Sequence, residues 1–164
     1  MKVTLYAVTK VWRIGVLTGT PREEPRWTPF HQGLRERGYV EGQNIAFEWR
    51  LSGGSAERFP DLAAELVCLK VDVIVASDNP AIAAAQRATS TIPIVMVGSG
   101  DPVRTGFVGS LARPGGNITG LSGQGPDIQG KALQLLKEAV PTASRVALPG
   151  NTMENWQCIY ETDI

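Results

Sequence analysis

The chain has 164 residues, enough for one domain, or for one domain and the start of another, with a core that needs neither metal nor disulfide. Its composition, 43% hydrophobic and 20% charged, is that of a soluble globular protein, and its sixteen basic residues cancel its sixteen acidic ones. That balance removes the electrostatic attraction on which binding to nucleic acid or to an anionic membrane surface depends.

The chain opens on "MKVTLYAVTK", whose apolar run is short and broken by Thr and Tyr, with no small-residue cleavage site. It therefore does not read as a signal peptide, and taken literally the chain stays in the cytoplasm. No stretch approaches the eighteen or so apolar residues of a membrane span. "VWRIGVLTGT" is nearly continuous in apolar residues and predicts a buried parallel strand over 12–18. In the helix that follows, Thr28 and Pro29 form an N-cap and first-turn pair, Phe30 and Leu34 share a face, and Gly38 closes the end. "NIAFEWRLS" alternates, with Ile45, Phe47, Trp49 and Leu51 on one side and Glu48 and Arg50 on the other, as in an edge strand with one wet face. "SAERFPDLAAELVCLK" sets Phe59, Leu62, Ala63 and Leu66 at helical spacing, and Cys68 within it reads as a small buried hydrophobe. Cys68 and Cys158 are too few and too far apart for a disulfide framework or a zinc site.

"VDVIVAS" predicts a second central strand, and "DNPAIAAAQRATS" a helix with Asn79 as its cap and Pro80 in its first turn. "IPIVMVGSG" is a further buried strand, and "NITGLS" a short fifth one. "PDIQGKALQLLKEAVP" is an amphipathic helix over 127–140, and "RVAL" begins another strand at 145–148. Strand and helix alternate throughout, which predicts an α/β fold, a parallel sheet flanked by helices on both faces. The last stretch, "PGNTMENWQCIYETDI", shows neither period. Residues 149–164 are accordingly expected to be an aberrant tail, out of register with the continuation that a strand at 145–148 requires.

In an open parallel sheet, ligands bind beyond the carboxyl ends of the strands, where the strand order reverses. For the order 2-1-3-4-5 that point lies between the first and third strands, at the loops "TGTPREEPRW" (18–27) and "SDNP" (77–80). Both loops run into helix N-termini, which favour a carboxylate. Thr18, Gly19, Thr20, Ser77, Asp78 and Asn79 are the candidate ligand-binding residues there. Asp101, in "GSGDPV", reaches the same rim and either receives a ligand's ammonium or hydroxyl group or opens the turn at Pro102. Trp27 either stacks on a ligand or packs. "GPDIQGKA" (125–132) approaches a phosphate loop but ends in Ala132 where the magnesium-binding hydroxyl belongs, with Pro126 and Asp127 further against it. For catalysis the inventory is thin: His31, the only histidine, is expected in solvent, and no nucleophile stands beside a base. No cofactor and no metal is expected.

Four stretches, "GLRERGYVEGQNIAFEWR", "LAAELVCLKVDVIVA", "ATSTIPIVMVGSGDPVRTGFVGSLARPGGNITGLS" and "GKALQLLKEAVP", closely resemble the substrate-binding proteins of a family of ABC-type uptake systems, some of which bind aromatic amino acids. The resemblance runs from residue 12 to about residue 148. It implies a two-lobed, type I periplasmic binding protein that traps a small ligand as its lobes close, the strand order 2-1-3-4-5, a periplasmic location and a membrane permease as partner. It divides the chain into a first lobe over 11–122 and the start of a truncated second lobe over 123–148. It also makes 101–122 a rim loop, a last strand and an approach to the hinge, with Gly115 free to adopt unusual dihedrals and Gly116, Asn117, Thr119 and Gly120 as hinge residues. Two other classes stay open: a stand-alone sensor or regulatory domain that forms a homodimer through the 127–140 helix, and an enzyme of racemase or isomerase type, for which the placement of the two cysteines is poor.

Overall fold

Runs rich in Val, Ile and Leu without alternation bury both of their faces, and a parallel sheet covered by helices on each side satisfies that demand. A computed structural model describes residues 10–123, 131 and 134–142. The chain divides into two units, Met1–Gly123 and Gln124–Ile164.

The first unit is built on a five-stranded sheet: β1 (Trp12–Thr18), β2 (Ile45–Leu51), β3 (Val73–Ala76), β4 (Ile94–Ser99) and β5 (Ile118–Ser122). The spatial order is β2-β1-β3-β4-β5 and all neighbours are parallel, as expected. Three helices cover it: α1 (Trp27–Glu36), α2 (Phe59–Cys68), which follows a 3-10 turn at Ala56–Arg58, and α3 (Asn79–Ala88).

Strand periodicity sends alternate residues to two separate cores. On one face Ile14 and Val16 of β1, Ile45 of β2 and Val75 of β3 pack with Trp27, and Phe30 and Leu34 of α1 close over them. On the other face Leu17, Ile74, Ala76, Ile94, Met96 and Ile118 meet Phe59, Leu62, Ala63 and Leu66 of α2 and Ala81, Ile82, Ala84 and Ala85 of α3. Gly15 lets α2 approach β1 closely, since a Cβ there would stand 3.0 Å from Leu66 and 3.2 Å from Val71.

Four local expectations are corrected. First, α1 begins at Trp27, with Arg26 in the cap position and no side-chain cap. The N–H groups of Trp27 and Thr28 donate to the carbonyls of Glu24 and Pro25, so a preceding turn starts the helix and Thr28 caps nothing. Second, the cap of α3 is Asp78 rather than Asn79, because Asp78 has the extended backbone a cap needs and its Oδ1 accepts the Ala81 N–H at 3.0 Å. Third, Cys68 is exposed, since the last turn of α2 rotates it away from the sheet. Fourth, His31 is half-buried rather than solvated, with its ring edge-on to Phe47 at 5.0 Å and tilted against Trp49 at 6.1 Å. Gly38 does close α1, at φ +82 with its N–H on the Arg35 carbonyl.

In the second unit residues 134–139 are helical, and Leu135, Leu136 and Val140 are exposed. Residues 127–130, 132 and 133 of the helix expected over 127–140, the strand expected at 145–148 and the tail 149–164 lie outside the described residues.

Candidate functional site

The strand order reverses between β1 and β3, which places the switch-point crevice at the carboxyl ends of these strands. Four short hydroxyl residues stand there side by side. Ser52 follows β2, Thr18 ends β1, Ser77 follows β3 and Ser99 ends β4, and all four are buried.

Four of the loop residues expected at this rim are tied together. Thr18 Oγ1 accepts the Thr20 N–H at 3.2 Å and lies 3.1 Å from Thr20 Oγ1. Ser77 Oγ stands 2.9 Å from Thr18 Oγ1 and 3.1 Å from Asp78 Oδ2. The loop after β1 is thereby stitched to the first turn of α3. Beyond Thr20, Glu24 is held below the ordinary carboxylate range, first by the Thr20 hydroxyl and then by Arg26, whose Nη2 lies 2.7 Å from Glu24 Oε1. Gly19 faces Ser52 Oγ, Asp78 Oδ2 and the Phe59 ring; a Cβ added to it would stand 3.6, 3.7 and 3.9 Å from them. Arg58 donates to the Ser52 carbonyl at 3.0 Å.

Thr18, Gly19, Thr20, Ser77 and Asp78 are thus brought together, with Asn79 exposed at the first position of α3 beside them. The anion preference expected of both helix starts is met from within the chain. The Asp78 carboxylate occupies the start of α3, and backbone carbonyls take the first N–H groups of α1. Asp101 opens a turn beyond β4. Its Oδ1 accepts the Arg104 N–H at 2.9 Å, and its carbonyl takes the Thr105 hydroxyl at 2.8 Å.

The residues expected at the hinge lie before and within β5. Gly116 and Asn117 are at its amino end, where Asn117 Nδ2 donates to the carbonyls of Thr89 and Ile92 at 3.2 and 2.8 Å. Thr119 and Gly120 are inside the strand, paired with Val95 and Met96 of β4. The chain leaves the first unit after Gly123, whose N–H donates to the Ser99 carbonyl at 2.7 Å.

Two further serines stand at this rim. Ser52 Oγ and Ser99 Oγ are buried without a hydrogen-bond partner, in residues 1% and 0% exposed. Their signal was present: each is a lone Ser closing a strand, in "RLSGG" and "MVGSG". The other buried side-chain atoms without a partner among the described residues are Trp27 Nε1 and Glu24 Oε2, on the loop and helix start that follow β1. Of these atoms, Ser52 Oγ and Ser99 Oγ stand at the carboxyl end of the sheet. Trp27 itself is 3% exposed and packs edge-on against Phe30 and Trp49. At the opposite end an apolar groove of about 340 Å³ runs between Trp12, Ile14, Leu34, Tyr39, Ile45 and Val73. No group of three or more His, Cys, Asp or Glu side chains placed to share a metal ion occurs among the described residues. No helix among them is long and apolar enough to cross a membrane.

Residues 21–157 match the family model of the ABC transporter substrate binding protein. The chain is 36% identical over 125 residues to a tyrosine-binding protein of Clostridioides difficile (strain R20291), a match that covers 76% of this chain and 36% of that protein. Among solved structures it is similar to a conserved domain protein from Vibrio cholerae (TM-score 0.71, 33% identity, 82% of this chain and 46% of that one). It is also similar to a ligand-free, open substrate binding protein with adhesive properties from Clostridium difficile (TM-score 0.66, 31% identity, 82% and 45%). A third is an ABC domain from Streptococcus pneumoniae in complex with L-Trp (TM-score 0.61, 29% identity, 69% and 39%). The chain spans less than half the length of each of these relatives. With the family model matched over most of its length, the chain belongs to the ABC transporter substrate-binding proteins.

Proposed function

We propose that this chain is the first lobe of a solute-binding component of an ABC-type uptake system, and that it holds a small ligand of the amino acid or carboxylate kind at the carboxyl rim of its sheet. The observation that carries the reading is the clustering of orphaned buried polar atoms. Leaving a buried donor or acceptor unpaired costs about 1–3 kcal/mol, and such groups gather where a partner is to be supplied. Ser52 Oγ, just after β2, and Ser99 Oγ, at the end of β4, are such atoms, at the carboxyl end of the sheet and on either side of the point where the strand order reverses between β1 and β3.

On this reading Thr18, Gly19, Thr20, Ser77, Asp78, Asn79 and Asp101 line one wall of a cleft. Residues 11–122 form the lobe, and the second lobe begins within 123–148. The whole protein works outside the cytoplasmic membrane, in the periplasm or its equivalent, and hands its ligand to a permease. It performs no catalysis: the rim holds alcohols beside a carboxylate whose Oδ1 caps α3, and the His31 ring packs edge-on against Phe47 of β2. The names of the relatives favour an aromatic amino acid.

The test is a titration of the ¹⁵N-labelled protein with L-tyrosine and L-tryptophan, followed by amide chemical shifts, which register even weak binding to a single wall. Shifts are expected at residues 18–20, 77–79, 81 and 99–101. Shifts confined to the apolar groove at the other end of the sheet, or none at all, would refute the reading. The exposed Leu135, Leu136 and Val140 support a second possibility, a homodimer through this helix, for which sedimentation should show mass rising with concentration.

A further inference from the structure

We infer that the first lobe reads the ammonium end of its ligand, at a notch over Gly19 between Ser52 Oγ and Asp78 Oδ2. The inference rests on the binding role proposed above and adds the polarity with which the ligand sits.

Three features build the notch. Gly19 presents a bare Cα face at the end of β1, and the point where its Cβ would lie has Ser52 Oγ at 3.6 Å, Asp78 Oδ2 at 3.7 Å and the Phe59 ring at 3.9 Å. Ser52 Oγ is buried there with no hydrogen-bond partner. Asp78 uses Oδ1 to cap α3 and receives only the Ser77 hydroxyl on Oδ2, and a carboxylate oxygen has room for a second donor. The notch therefore offers acceptors and one negative charge, with an aromatic wall behind them.

That chemistry suits a compact cation with several hydrogens. A ligand carboxylate placed there would face the charge of Asp78, whereas an ammonium addresses both oxygens and gains a charge-assisted bond. The absent side chain matters in the same way. Gly19 is not in a left-handed conformation, so glycine is not required there by the backbone. What glycine leaves at this position is the space of one methyl group, in contact range of Ser52 Oγ, Asp78 Oδ2 and the Phe59 ring.

The experiment compares three probes by the same amide-shift titration: L-tyrosine, tyramine, which lacks the carboxylate, and 3-(4-hydroxyphenyl)propionate, which lacks the ammonium. Removing the ammonium is expected to weaken binding by roughly ten- to a hundredfold, the range of a hydrogen-bonded charge. Tyramine should still shift the amides of Gly19, Ser52 and Asp78. Ser52→Ala should weaken L-tyrosine binding about tenfold while leaving the thermal midpoint unchanged or higher, because it deletes an unpaired hydroxyl. Asp78→Asn, which keeps a capping side chain but loses the charge, should weaken it at least as much. If the propionate shifts these amides as strongly as L-tyrosine, or if both variants bind L-tyrosine like the parent, the ammonium assignment fails and the binding role stands. If L-tyrosine and L-tryptophan leave the rim amides unmoved, both fall together.

Discussion

Gly120 offers the sharpest test of how β5 is seated. It lies inside β5 opposite Met96 with φ +140, a region that L side chains rarely adopt. A Cβ added there would come within 2.1 Å of the Met96 carbonyl oxygen and 2.7 Å of its nitrogen. Neither is the end of a flexible side chain, so β5 must withdraw from β4 by roughly 1 Å or more to restore contact distances. That movement weakens ladder hydrogen bonds worth about 1 kcal/mol each and partly exposes Ile118, whose burial is worth about 1.5–3 kcal/mol. Gly120→Ala should therefore destabilise the first unit by about 3–5 kcal/mol, a large share of the roughly 5–15 kcal/mol typical of a domain. Gly116→Ala is the control, since its added Cβ meets nothing within 4 Å and its φ is not positive; a change within about 0.5 kcal/mol is expected. Urea unfolding followed by circular dichroism measures both. If the two variants unfold at the same urea concentration, Gly120 is not a close-approach glycine and the account of β5 as a clamped strand is wrong.

Further outcomes follow from the same packing. Trp27→Ala, at a position 3% exposed between Phe30 and Trp49, should cost about 3–5 kcal/mol in urea unfolding; a small loss would return Trp27 to the role of a ligand platform. Asp78→Ala should remove about 1 kcal/mol of stability as the α3 cap is lost, and Asn79→Ala much less; the reverse order would restore Asn79 as the cap. Asp72 is held below the ordinary carboxylate range, first by the Arg13 N–H and then by Lys10. Because its folded pKa is lowered, it stabilises the fold above the ordinary carboxylate range, and that contribution disappears as pH falls through the folded value. The thermal midpoint of the Asp72→Asn variant should therefore fall less steeply between pH 5 and pH 2 than that of the parent, in the pH window set by model carboxylates near about 4. A steeper fall in the variant would contradict the pairing.

The chain's own order of residues determined the architecture, for a local reason. Side-chain period reports which faces an element buries, so the continuous runs at 12–18 and 94–99, the alternation at 45–51 and the spacing of Phe59, Leu62, Ala63 and Leu66 were all legible. The loops at the carboxyl ends of β1 and β3 were legible too, since an α/β sheet leaves few other places for a ligand. What only the tertiary structure decided is which polar atoms in those loops are already satisfied. The sequence reads Asn79 as the cap of α3, and only the backbone angles of the α3 start choose Asp78. His31 looks like a solvated helix residue until β2 brings Phe47 and Trp49 beneath it. Ser52 and Ser99 look like ordinary strand ends, and their importance arises from being buried with nothing to bond, a property of the elements packed around them. Gly120 reads as a hinge glycine in sequence, and only the structure shows that the backbone of β4 stands directly against it. Periodicity is written one element at a time, whereas hydrogen-bond satisfaction is settled only when separate elements meet.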